Sequence, residues 1–222
     1  MMLLLQGVLA PEDVARILRD LDAAPWVDGK TTAGPTARDV KKNRQAVGSD
    51  EGVQALEKFV LDALHRHPLF VTAARPKRIS RLLFSSYEGG ETYGFHTDDA
   101  LMGATLLRSD LAFTLFLSDP ATYEGGALTV ATPLGDQAIK LAAGDMVLYA
   151  AGSIHAVSPV TSGRRMACVG WIQSVVRDPA QRELLFDLAN ARAMFARGEV
   201  NRDSLLLMDR AQSNLLRMWA DT

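Results

Sequence analysis

A single cysteine, Cys168, stands among 222 residues, which excludes an intrachain disulfide and leaves stability to a packed core. Cys168 lies within the apolar run Met166-Ala-Cys-Val-Gly-Trp171 and reads as a small buried side chain rather than a reactive thiol. A reducing cytoplasm is the compartment that fits. Charge of one sign is also lacking: 24 Lys and Arg against 26 Asp and Glu give a net charge of −2. Basic residues are scattered, so there is no electrostatic footprint for a nucleic acid partner. No apolar stretch approaches the length of a bilayer span, and no membrane partner is expected. The opening Met1-Met-Leu-Leu-Leu5 has no basic n-region and its apolar stretch ends at Pro11, so it reads as a strand or core cover rather than a signal peptide. Internal repeats and low-complexity tracts are absent.

What remains is an ordinary globular composition, 48% hydrophobic and 23% charged, long enough to bury a substantial core. Pro11-Glu-Asp opens a helix, with Val14, Ile17, Leu18 and Leu21 at helical spacing and Pro25 as its stop. Residues 28–49 carry turn chemistry and predict a loop or short strands. This segment is either a solvated surface or a lid bringing Asn43, Arg44 or Gln45 to a substrate entrance. A second helix is predicted after Ser49 as N-cap and closed by Pro68.

From about Lys77 the period changes to short runs rich in Ile, Leu, Phe and Val, separated by turn residues. Strands are predicted near 77–86, 92–97, 111–117, 127–131, 137–141, 145–150, 155–160 and 165–175. Eight strands in two sheets make a double-stranded β-helix, or jelly roll. Past Val176 helical periodicity returns, with Asp178-Pro179 as cap and first turn, a break at Gly198 and a last helix from Asn201 to Trp219. The expected fold is therefore mainly β with flanking helices. N-terminal helices and loop (1–76) pack on a jelly-roll core (77–176), followed by a C-terminal helical extension (177–222). The Met- and Leu-rich tail is a candidate surface for homo-oligomer formation.

Four histidines are available. His65 and His67 fall in Leu-His-Arg-His-Pro and read as a basic helix end. His96 and Asp98 share one face of an extended segment, offering an imidazole and a carboxylate to one point. His155 on a neighbouring strand would complete a two-histidine, one-carboxylate facial triad with open positions suited to non-heme Fe(II) and O2. His-x-Asp alone is a weak signal; its place in strand-rich sequence carries the argument. In the last strand, alternation puts Arg165, Ala167, Val169 and Trp171 on one face, so a guanidinium would enter an apolar cavity. A dicarboxylate such as 2-oxoglutarate would offset the cost of that buried charge. Tyr87 is either a second donor to the same carboxylate or a tyrosine ending a strand at a Gly-Gly turn. Trp171 is either barrel filler or a ring against the co-substrate, and filler is the simpler reading.

Several blocks together resemble a known family. They are Tyr87-Glu-Gly-Gly-Glu-Thr-Tyr-Gly-Phe-His-Thr-Asp-Asp-Ala100, Leu111-Ala-Phe-Thr-Leu-Phe-Leu-Ser-Asp-Pro120, Tyr123-Glu-Gly-Gly126, His155-Ala-Val-Ser-Pro-Val-Thr-Ser-Gly-Arg-Arg165 and Trp171-Ile-Gln-Ser174. In this order they are similar to the bacterial PKHD-type hydroxylases, which are Fe(II)/2-oxoglutarate dioxygenases similar to prolyl 4-hydroxylases and sometimes described as iron-uptake factors. The resemblance covers nearly the whole chain. It implies that His96, Asp98 and His155 ligate iron and that Arg165 binds the distal carboxylate of 2-oxoglutarate. It also implies hydroxylation of a small-molecule or peptide substrate with release of succinate and CO2, with ascorbate (vitamin C) helping to restore Fe(II). The substrate is open between a peptide side chain, an amino acid and a siderophore-like molecule. The alternative is a non-enzymatic jelly-roll sensor of iron or 2-oxoglutarate linked to iron uptake. A cupin-like metal enzyme without 2-oxoglutarate ranks last, because it leaves Arg165 without a partner.

Overall fold

The computed structural model describes residues 1–198 and 201–221. Its first elements are β1 (Leu3–Leu5), α1 (Pro11–Asp22), β2 (Trp26–Asp28), α2 (Pro35–Asp39), β3 (Lys41–Lys42), β4 (Arg44–Ala46), α3 (Glu51–Arg66) and α4 (Pro68–Ala74). The strand-rich region holds β5 (Pro76–Ile79), β6 (Leu83–Glu88), β7 (Thr92–His96), β8 (Leu101–Met102), β9 (Leu107–Arg108), β10 (Leu111–Phe116), β11 (Tyr123–Gly125), β12 (Leu128–Val130), β13 (Gln137–Ile139), β14 (Met146–Ala150), β15 (His155–Val157) and β16 (Val160–Ser174). Helices α5 (Pro179–Phe195) and α6 (Arg202–Trp219) follow.

Every strand pairing is antiparallel. The large sheet runs β1-β14-β10-β16-β6-β4-β2, with β5 and β11 also on β16, and the small sheet runs β13-β12-β15-β7-β3. This is the expected mainly-β jelly roll with flanking helices. The strands β1, β2 and β4 bring the N-terminal region into the large sheet. All six residues of β10 are buried, because both of its faces are covered. Leu111, Phe113 and Leu115 face a core built with Ile17, Leu21, Val60, Leu64 and Phe70 of the helices. Ala112 and Phe116 face the small sheet, among Tyr87, Leu128, Val147 and Tyr149.

Several local expectations change for physical reasons. The predicted strand 77–86 is two strands. Between them Ser80 Oγ accepts Trp171 N–H at 3.0 Å, and Leu82 N–H donates to buried Glu57 Oε1 at 2.9 Å, so helix α3 pulls the chain out of the ladder. The last strand begins at Val160, not near 165, because exposed Thr161–Gly163 extends into pairing with β11. Strand β15 stops at Val157, shortly before Pro159, which has no N–H to give to a ladder. Helix α3 is capped by Asp50 rather than Ser49, through Oδ1 accepting Val53 N–H at 3.0 Å. Pro68 opens α4 in addition to closing α3, and His67 Nδ1 caps it by accepting Phe70 N–H at 3.3 Å.

Helix α5 starts as expected, with Asp178 Oδ1 accepting Gln181 N–H at 2.9 Å. The chain after α6 returns to the barrel: Lys77 Nζ donates to Asp221 O at 2.9 Å, and Arg108 Nη1 meets Asp221 Oδ2 at 3.0 Å. Leu205, Met208, Leu215, Leu216 and Trp219 are half-buried on α6, whereas Leu206 and Met218 are exposed, as are Leu184, Met194 and Phe195 on α5. No helix among the described residues is long and apolar enough to cross a membrane.

Candidate active site

His96 ends β7 and His155 opens β15, and these neighbouring strands place the two residues directly opposite each other. Cross-strand partners on one face bring their side chains together. The two imidazole centroids are 4.3 Å apart. Asp98 follows in the loop after β7, and its Oδ1 lies 4.0 Å from His96 Nε2 and 3.8 Å from His155 Nε2. One ligand atom from each of the three residues falls within 4.8 Å of the others, and no other group of three or more candidate ligands forms among the described residues.

The strand ends also fix which nitrogen is free. His96 Nδ1 donates to Gly94 O at 2.8 Å and His155 Nδ1 to Ser153 O at 3.0 Å, since a carbonyl can only accept. Each Nε2 is left with its lone pair toward Asp98, the tautomer a metal requires. Tyr93 stacks on His96 at 3.6 Å between centroids and 16° between planes, and Tyr149 packs edge-on to His155 at 5.3 Å. Burial, reinforced by the nearby His155, lowers His96 to about 4, so its imidazole is neutral at physiological pH. Burial raises the Asp98 carboxyl, with His155 and then the Trp171 indole opposing. Asp98 Oδ2 is buried without a hydrogen-bond partner. Two imidazoles that present Nε2 and a carboxylate with an unused oxygen fit a divalent Fe(II) ion.

The triad opens into a cavity of about 710 Å³ that also reaches Arg165 and Trp171. Arg165 is 1% exposed, its Cζ lies 5.2 Å from the Tyr87 ring and 5.4 Å from the Phe116 ring, and its Nε and Nη2 have no partner. Gly126, at φ +63°, makes room for it: a Cβ there would stand 2.9 Å from Arg165 Cδ. Tyr87 is buried and is the cross-strand partner of Arg165. Burial raises its phenol to about 12, with Arg165 and Asn43 opposing, so it remains a donor. The Trp171 indole N–H, on the same cavity, is likewise buried and unpartnered. A buried polar group left unpaired costs roughly 1–3 kcal/mol, so such a cluster around one cavity fits a small anion with several acceptor oxygens, as 2-oxoglutarate has.

The structure thus brings together all six residues that the sequence singles out, and it keeps His65 and His67 away on the helices. Arg164 points to the opposite face, as alternation predicts, donating to Ser86 Oγ and pairing with Asp22 at 2.8 Å. Of the lid candidates, Gln45 lines the cavity, Asn43 is buried near Tyr87, and Arg44 pairs with Glu88 away from it. The sequence reading misses Lys41, Tyr93 and Tyr149. By alternation Tyr93, three residues before His96, would face away from it, and the register shift between β7 and β15 brings it back; Lys41 sits in an irregular polar stretch with no signal.

Comparison with known proteins agrees with this geometry. Residues 82–173 match the family model described as 2OG-Fe(II) oxygenase superfamily. The chain is 48% identical over 222 residues to a PKHD-type hydroxylase of Maricaulis maris, covering the whole of both chains. It is 44% identical over 225 residues to the PKHD-type hydroxylase YbiX of Escherichia coli O8, again over the whole of both. A solved prolyl hydroxylase from Trichoplax adhaerens, in complex with a hypoxia inducible factor peptide fragment, shares the fold with a TM-score of 0.61 at 14% identity, over 82% of this chain and 86% of that one. A Pseudomonas putida prolyl-4-hydroxylase aligns with a TM-score of 0.51 at 18% identity, over 78% of this chain and 92% of that one. The family works with Fe(II), 2-oxoglutarate and O2, and hydroxylase relatives along the full length favour an enzyme over a sensor. The chain belongs to the PKHD-type hydroxylases, within the Fe(II)- and 2-oxoglutarate-dependent dioxygenases.

Proposed function

We propose that this dioxygenase hydroxylates a C–H bond of a small molecule or peptide in the cavity lined by His96, Asp98, His155 and Arg165. The observation that carries the reading is two sets of unmet needs in one cavity. An unused carboxylate oxygen stands beside two Nε2 atoms, and an arginine with two unpartnered nitrogens stands on the same barrel interior. His96, Asp98 and His155 would hold the iron, and Arg165 the distal carboxylate of 2-oxoglutarate. When bound, Fe(II) with 2-oxoglutarate and O2 supplies the oxidising power, converting C–H to C–OH with release of succinate and CO2.

The protein's own contribution is positional. Gly94 O and Ser153 O hold the imidazoles in one tautomer, and the Tyr93 ring fixes the plane of His96. Arg165 presents a planar fork suited to a carboxylate, and Tyr87 adds a phenolic donor beside it. Trp171 turns its indole N–H toward the Asp98 side of the cavity, a role beyond filling. Leu128, Val157 and Val169 keep the inner wall apolar and limit water near the reacting centre. In this division residues 77–176 carry the chemistry, 1–76 supply cavity wall and cover, and 177–222 brace the barrel. The exposed apolar side chains of α5 and α6 are where association with a second copy is proposed.

The test is stoichiometric. Purified protein with Fe(II) should consume 2-oxoglutarate and O2 and form an equal amount of succinate, and ascorbate should prolong turnover. Hydroxylated products from a cell extract should appear as a mass increase of one oxygen. Protein that binds Fe(II) and 2-oxoglutarate yet forms no succinate with any extract would contradict the catalytic assignment.

A further inference from the structure

Lys41 is the charged residue in the cavity that the triad and the co-substrate site leave unexplained. It is 4% exposed, yet its side chain lines the same cavity as His96 and Asp98. Strand β3 places it opposite Tyr93, and its Nζ stands 5.0 Å from the centre of the Tyr93 ring, the ring that stacks on His96. Its hydrogen bond goes to Thr32 Oγ1 at 3.1 Å, and that hydroxyl in turn donates to Gln45 Oε1 at 2.6 Å. Thr32 and Gln45 therefore aim the amine rather than neutralise it. Among the described residues no carboxylate forms an ion pair with Lys41; Asp98 and Asp28 act on it only at longer range. Burial brings the amine down to about 8, the cost of an ammonium left without a direct counter-charge.

The cavity's cations are divided between two ends. Arg165 lies against the Tyr87 and Phe116 rings, at the inner end. Lys41 lies over the Tyr93 ring that stacks on His96, bonded to Thr32 of residues 32–37, where Gly34 lies against Asp99. Of the remaining cations lining the cavity, Arg81 pairs with Glu57 at 2.7 Å. Arg78, also without a carboxylate partner, is exposed to solvent and donates to Gln173 Oε1 at 2.6 Å and to the Thr105 and Leu106 carbonyls, so Lys41 is the buried one without a counter-charge at this end. A structural duty alone, holding Tyr93, would be met by an apolar side chain at less cost in burial. An amine aimed into the cavity by two neutral polar groups is suited to an anion that arrives with the substrate.

Resting on the hydroxylase reading above, we infer that Lys41 is a specificity-determining residue that receives a carboxylate of the substrate, so that the enzyme acts on carboxylate-bearing molecules rather than neutral ones. The free acid of an amino acid, the C-terminus of a peptide and a carboxylate siderophore share this chemistry. The neighbouring wall of Ala33, Ala37, Leu101, Met102 and Leu107 would take the apolar part of such a molecule.

The test uses the Zn(II)-loaded full-length protein with saturating 2-oxoglutarate, so that acids do not compete at Arg165. Matched probes are titrated by ligand-observed saturation-transfer NMR: hexanoate and hexanamide, benzoate and benzamide, N-acetylproline and N-acetylprolinamide. The acid of at least one pair should bind roughly 10- to 100-fold more tightly than its amide, the worth of one charge-assisted hydrogen bond. Lys41→Met should remove that preference and Lys41→Arg should retain it; if Lys41→Met does not fold, Lys41→Gln makes the same comparison. Acids and amides that bind alike, or not at all, overturn the inference, as does an acid preference that survives the loss of the amine. Failure of the wild-type protein to bind 2-oxoglutarate in the preceding step would instead count against the hydroxylase reading itself.

Discussion

Along β16, Met166, Cys168 and Ile172 face the helices, while Arg165, Val169 and Trp171 face the cavity, and the two sides treat their buried acids in opposite ways. On the helix side the buried acid, Glu57, uses both oxygens, one for Leu82 N–H and one for Arg81 Nε. On the cavity side the acid, Asp98, keeps one oxygen without a partner, as Arg165 and Trp171 keep nitrogens. Arg75 and Arg182 on the helix side also leave an Nε unpartnered but bond carbonyls through their other nitrogens, so the unsatisfied face, whose cost lasts until ligands bind, is the one that lines the cavity. Ligands that bind only the folded state return that cost as raised stability.

The sharpest way to break this contrast is to remove the centre of the unsatisfied face. Asp98→Ala should lower Fe(II)-dependent succinate formation by more than about 100-fold, beyond the 10–100-fold typical of groups that only support metal ligands. Its metal-free melting temperature should not fall, because a buried, unpartnered oxygen is removed; a large fall measured by calorimetry would mean that the site also holds the fold. On the other face, Phe70→Ala should cost about 3–5 kcal/mol in urea unfolding, since Phe70 is fully buried and meets Phe113 edge-on at 6.5 Å. Iron and 2-oxoglutarate affinity in the folded fraction should stay near the wild-type value.

A smaller effect is expected at the inner end of the cavity. Arg165→Met should weaken 2-oxoglutarate binding by about 1.5–3 kcal/mol in calorimetric titration while iron still binds, and the ligand-free protein should be no less stable. Tyr87→Phe removes one neutral donor and should cost about 0.5–1.5 kcal/mol of the same affinity. The smallest change in activity belongs to Cys168, which is fully buried and whose thiol burial pushes well up. It should resist alkylation in the native state and react on unfolding, and rapid native labelling with loss of activity would contradict its place in the core.

Much of this contrast could be read from residue order. Period-2 alternation assigns Arg165 and Trp171 to one face and Arg164 to the other, and the structure agrees. His96, Asp98 and His155 converge as their strand positions suggest. Most illegible features depended on partners distant in sequence. The break between β5 and β6 needs Glu57 from α3 and the extended β16, and nothing within 77–86 announces either. The cap at Asp50 rather than Ser49 was a choice between adjacent residues of similar propensity, decided by which side chain reaches Val53 N–H. Lys41 gave no signal because its neighbours Lys42, Asn43 and Arg44 look equally polar. Pairing of β3 with β7 is what turns it inward.

The sequence by itself determined the strand-rich jelly roll, the helices around it and the identity of the groups that can bind a metal and a dicarboxylate, because alternation, caps and side-chain chemistry are local properties. Only the tertiary structure decided that Nε2 rather than Nδ1 faces the metal site, that the Arg165 fork stays unpartnered, and that an amine from the N-terminal region enters the same cavity. The first depends on how each strand end turns Nδ1 to a carbonyl two residues back, and the other two on contacts between segments far apart in the chain, where burial and competition for hydrogen-bond partners, not propensity, fix the outcome.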